Sequence, residues 1–82
     1  MTELDGNALA GALVEATGID ATADRIRCPR CAGVCAVAQT VAVRGREDAV
    51  ARCPNCRATL FVIDLPARAL ALEPGVEWVA RG

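Results

Sequence analysis

At 82 residues and a formal charge of −1, the chain has room for a single domain and carries no broadly basic surface, which excludes a second core and a general nucleic-acid coat. The apolar fraction of 54% overstates the core, because seventeen of those residues are Ala and the only aromatic side chains are Phe61 and Trp78. A chain this small with so little aromatic area needs a staple, and its five cysteines indicate which kind.

Residues 6–17 read as a short helix. Leu9, Ala12, Leu13 and Ala16 repeat at the spacing of one helical face, Asp5 is placed to cap the start, and Gly18 followed by Ile19 forms a glycine stop. Gly11 weakens this helix by about 1 kcal/mol relative to Ala, so the helix must dock on something to persist. Leu9 and Leu13 are then candidate contacts with a partner, with another copy of the chain, or with the chain's own sheet at Val37, Val41 and Phe61.

Charge divides along the chain. Residues 1–24 carry five acids and no base, whereas residues 25–60 carry Arg25, Arg27, Arg30, Arg44, Arg46, Arg52 and Arg57 against only Glu47 and Asp48. The Arg set is the candidate contact for nucleic acid or another anion.

After the helix the pattern changes to strands. Arg25-Ile26-Arg27 alternates into a first pair of cysteines, and Val37, Val41 and Val43 predict a strand over about 36–43 that ends in the charged turn 44–48. Ala49 to Arg52 leads into a second pair, and Thr59 to Ile63 is a strong strand signal that Pro66 breaks. Leu70 and Leu72, the Pro74-Gly75 pair, then Val76 and Trp78 read as a closing hairpin over 67–81.

The chemistry lies in Cys28-Pro29-Arg30-Cys31 and Cys53-Pro54-Asn55-Cys56. Each Cys-x-x-Cys knuckle can turn two sulfurs toward one point, and two knuckles on adjacent hairpins complete a tetrahedron around one Zn²⁺. Cys28, Cys31, Cys53 and Cys56 are therefore the expected metal ligands, and the zinc is structural, since a Cys₄ site keeps no open position for catalysis. Iron is the rival metal. Rubredoxin-like iron sites usually have glycines after the knuckles and an aromatic cover, whereas Ala32 and Arg57 stand there and aromatics are scarce. Cys35 is a spare thiol that reads as a small buried strand residue. With no His in the chain, Cys–His catalysis has no partner, and no catalytic residue is assigned.

The opening Leu4-Asp5-Gly6-Asn7-Ala8-Leu9-Ala10-Gly11, the two knuckles and the short C-terminal hairpin resemble a family of small proteins of GC-rich bacteria, of unknown function and with a zinc-ribbon-like core. The resemblance spans nearly the whole chain; its specific part is the opening octet. It implies the same four cysteines as ligands, no known activity, and genes that sit beside those of flavin or molybdenum oxidoreductases.

The expected fold is a small metal-stabilised α+β zinc ribbon. A helix occupies 1–18, the zinc-binding ribbon 25–64 and the closing hairpin 67–81, all within one domain. The expected function is a zinc-binding accessory that docks on a larger protein without catalysis of its own. The alternatives are a nucleic-acid-binding ribbon and a redox or metal-handling accessory to an oxidoreductase. The acidic N-terminus lacks the basic start and apolar stretch of a signal peptide, and no apolar run approaches the roughly 18–20 residues of a membrane span, so a cytoplasmic location is expected. No small-molecule substrate is expected.

Overall fold

The computed structural model describes residues 2–5, 9–18 and 22–79, and of residues 2–5 the backbone alone. The strongest strand signal sits at the middle of the molecule. Thr59–Asp64 (β6) lies between Asp48–Arg52 (β5) and Ala69–Leu72 (β7), and β5 continues the meander to Val41–Arg44 (β4). Thr2–Asp5 (β1) adds an antiparallel edge strand on β4, giving a five-stranded sheet ordered β1-β4-β5-β6-β7. Arg25–Arg27 (β2) is flanked by Val34–Ala36 (β3) and Glu77–Val79 (β8) in a second, three-stranded antiparallel sheet.

Helix Ala10–Thr17 (α1) is shorter than the expected 6–17. Asp5 lies in β1 and does not cap it; Leu9 occupies the N-cap position with no side-chain hydrogen bond. The stop is as expected: Gly18 takes a left-handed φ of 84° and its N–H bonds to the Val14 carbonyl. Ile19 lies outside the described residues, as do residues 6–8 of the expected helix. The helix packs on β6 and β7. Leu9 and Leu13 are 1% and 0% exposed, so the two candidate partner contacts belong to the protein's own core.

That core sits between the sheets. Leu9, Leu13, Ile26, Val37, Leu60, Phe61 and Ile63 bury together with Ala42, Ala49, Ala51 and the two cysteines that begin the knuckles. On β4 and β5 it is the Ala side chains that point inward. Val41, expected as a receiver of the helix, alternates to the opposite face, because Ala42 takes the core position.

The expected strand over 36–43 is interrupted. Val37–Gln39 forms a 3-10 turn: the Gln39 side-chain oxygen accepts the Ala36 N–H at 2.9 Å, and the buried Thr40 hydroxyl donates to the Val37 carbonyl at 2.7 Å. Such local side-chain bonds offer the backbone an alternative to the ladder. The break lets the chain cross from the small sheet to the large one.

Among the described residues, the closing hairpin expected over 67–81 is not formed. Pro74-Gly75 does make a turn, with Gly75 at φ 85° and the Val76 N–H donating to the Glu73 carbonyl at 3.2 Å. Instead of pairing its flanks, this turn is a corner: β7 stays on β6, and β8 crosses to pair with β2. The crossing places Trp78 against Phe61 (ring centroids 5.6 Å apart) and lets its indole N–H donate to Asp24 at 3.0 Å. A Cβ on Gly75 would also come within 3.1 Å of Pro29, so the corner rests against the first knuckle. The chain thus forms a zinc-ribbon-like α+β fold of one short helix and two antiparallel sheets.

Candidate metal centre

Each knuckle turns one hairpin, and the two are built alike. In the first, which joins β2 to β3, the Cys28 N–H donates to the Gly33 carbonyl and the Ala32 N–H returns to the Cys28 carbonyl, both at 2.9 Å. In the second, between β5 and β6, the Cys53 N–H donates to Ala58 at 2.8 Å and the Arg57 N–H to Cys53 at 2.9 Å. The residue after the second cysteine is left-handed in both cases, Ala32 at φ 61° and Arg57 at φ 66°. This conformation ordinarily favours glycine and strains other residues by about 1 kcal/mol or more. Sequence reading missed it, because neither position carries the glycine that would have signalled it.

The result is convergence of all four sulfurs. The Sγ atoms of Cys28, Cys31, Cys53 and Cys56 lie within 4.8 Å of one another. The contacts across the knuckles, Cys28 to Cys56 and Cys31 to Cys53, are 3.6 Å each. A disulfide needs about 2.05 Å, and all five thiols are free. A tetrahedron with zinc–sulfur bonds of about 2.3 Å has edges of about 3.8 Å. The four cysteines are therefore positioned to coordinate one structural zinc ion, the first cysteine of each knuckle buried and the second at the surface.

The thiols respond to this crowding. Burial pushes Cys28 up, but the backbone N–H groups of Cys31 and Arg30 outweigh it and hold the thiol down at about 7. At Cys56 the backbone contribution from Ala58 lowers the value, yet burial and the sulfurs of Cys28, Cys53 and Cys31 push it up to about 11. Four thiolates at one point repel unless a cation joins them. Zn²⁺ leaves the cluster at −2, and Arg27, Arg30, Arg52 and Arg57 border the knuckles and can offset that charge.

Cys35 stands apart from the four ligands. It lies on β3 opposite Ile26, half-buried against the core, with its thiol raised by burial and by Cys53, Cys28 and Cys31. The seven arginines are all exposed but do not form one patch. Arg44 and Arg46 lie at the turn of the β4–β5 hairpin, the end away from the knuckle, and β5 spans about 13 Å between the two ends. Arg25 lies at the end of β2 away from its knuckle, while Arg27 pairs with Glu77 at 3.3 Å. Among the described residues, no helix is long and apolar enough to cross a membrane.

Two sheets pinned through a Cys₄ cluster define a small domain with a structural metal site. The chain belongs to the family of unknown function DUF6510, whose profile matches residues 1–79. Neither a curated protein nor a solved structure matches it.

Proposed function

We propose that the protein is a non-catalytic accessory module that docks on a larger protein, its zinc serving only to hold the docking surface in shape. The observation that carries this reading is the outer face of the three-stranded sheet, immediately beside the first knuckle. Ile26, Cys35 and Trp78 turn inward, so the register leaves Val34 and Val79 on the other side, 43% and 38% exposed, beside Arg25 and the Arg27–Glu77 ion pair. Apolar side chains beside Arg25 and an ion pair fit a partner surface that is apolar at its centre and polar at its edge, with an acid opposite Arg25. The closed sulfur set supports the absence of catalysis, since four protein ligands fill the positions of a tetrahedral ion.

Nucleic-acid binding has less support, because the arginines are divided between opposite ends of the strands and both aromatic rings are engaged with each other. The redox alternative rests on Cys35, which the fold accounts for as a packing residue.

The test is capture from the native host with wild-type protein and with Val34→Asp/Val79→Asp, zinc content being verified in both. The expected result is a specific partner retained by the wild type and lost by the variant. Equal capture by both proteins would remove this face from the account.

A further inference from the structure

The two sheets are unequally built. The large one has strands of four to six residues and carries its own helix, α1, on β6 and β7. In the small one β2, β3 and β8 have three residues each, and strands that short are marginal without outside support. The two sheets share no ladder, and their backbones scarcely approach one another. What supports the small sheet is the burial of Ile26, Cys35 and Trp78 in the common core, and the first knuckle.

Within the small sheet, β8 is held least. It is an edge strand that pairs with β2 alone. Its first residue, Glu77, lies opposite Arg27, the residue before Cys28, and their exposed ion pair adds little. The corner leading into β8 rests on the first knuckle at Pro29. Trp78 supplies the rest of the hold, through its ring contact with Phe61 and its indole bond to Asp24, which enters β2. Of these contacts only the one with Phe61 reaches the large sheet. The others lead to β2 and the first knuckle, whose tie to the second knuckle runs through the sulfurs. Thiols 3.6 Å apart are weak partners for each other, whereas ligation makes the same contacts a firm join.

We propose that β8 is a metal-gated strap: it lies on β2 while the Cys₄ site holds zinc and comes away when the metal is lost, the five-stranded sheet and α1 remaining folded. Sub-global opening of this kind takes the element with the fewest independent contacts first. Val79 leaves with the strap, so the face it shares with Val34 exists only in the metal-loaded protein. Metal occupancy therefore regulates docking. The strap stands on the contacts above, and only this consequence rests on the docking reading.

Trp78 is the only tryptophan in the chain and reports on the strap directly. The full-length zinc-loaded protein is treated with EDTA under a thiol reductant, and then with excess zinc. Trp78 emission and segment-resolved amide hydrogen exchange are followed throughout. Chelation is expected to shift Trp78 emission to the red and to cost β8 about a hundredfold in protection, while β5 and β6 stay within about threefold. Zinc should restore both signals. Loss of protection in β5 and β6 together with β8 would mean that the domain unfolds as one unit, and would overturn the proposal. Unchanged emission and protection at β8 would overturn it as well. Capture of partner is then compared between loaded and metal-free protein. Equal capture with the strap released would refute the gating, whereas failure of the docking face itself shows separately, as equal capture by loaded wild type and loaded Val34→Asp/Val79→Asp.

Discussion

Cys28 and Cys56 touch across the knuckles at 3.6 Å, yet their thiols are driven in opposite directions, to about 7 and about 11. Backbone N–H groups select Cys28 as the first thiolate, and its charge then discourages ionisation of its neighbour. Zinc reverses this by accepting every thiolate. The sign follows: protons compete with the metal, so affinity falls as pH falls, and the raised value at Cys56 means that zinc must displace its proton at neutral pH. Without metal, the lowered value at Cys28 favours the folded state above the ordinary thiol range and loses that contribution as pH falls through about 7. Competition against a zinc-binding dye between about pH 8 and pH 6 should show steadily weaker binding; an affinity unchanged or rising over that range would contradict this account of the ligands. Cys35 provides the control. Cys35→Ala should leave zinc content unchanged and cost roughly 1 kcal/mol of packing in denaturant unfolding, whereas a fall in metal stoichiometry would make it a ligand.

Among the elements, α1 shows how local pattern and tertiary context divide the work. Its apolar spacing marked Leu9 and Leu13, but no sequence feature said that the surface receiving them was its own β6 and β7. Residues 2–5 and 9–18 therefore contribute an edge strand and part of the core, and deleting them removes Leu9, Ala12 and Leu13 from that core as well as a strand and a helix. Gly11 is exposed, and a Cβ there meets nothing within 4 Å. Gly11→Ala should accordingly stabilise the protein by about 1 kcal/mol, read as a higher denaturant midpoint with zinc saturating; destabilisation would mean that the helix is held differently. The knuckles were legible because cysteine pairs at this spacing have few other uses. The closing hairpin was not, because Pro74-Gly75 specifies a turn and not which sheets its flanks join. The valine stripe was misassigned for a related reason. Period two shows that Val41 and Val43 share a face, but only the packed structure shows that Ala42 takes the core.

At the scale of the molecule, the metal joins what the backbone leaves separate. The first knuckle belongs to the three-stranded sheet and the second to the five-stranded one, so the tetrahedron fastens one sheet to the other. Structural zinc contributes on the order of 10–16 kcal/mol in small peptides, comparable to the whole net stability of a domain. Apolar burial between these sheets is modest, with three Ala at the centre of the core, so the fold depends on that contribution. Left-handed Ala32 and Arg57 give the knuckles the turn that glycines would give, so the missing glycines do not by themselves separate zinc from iron. The donor set and its metal can be read together. X-ray absorption at the metal edge of the purified protein, with total metal content per chain, should find one zinc bound by four sulfurs at about 2.3 Å. Iron in its place, no metal, or a shell containing a nitrogen or oxygen ligand would contradict the account at its centre.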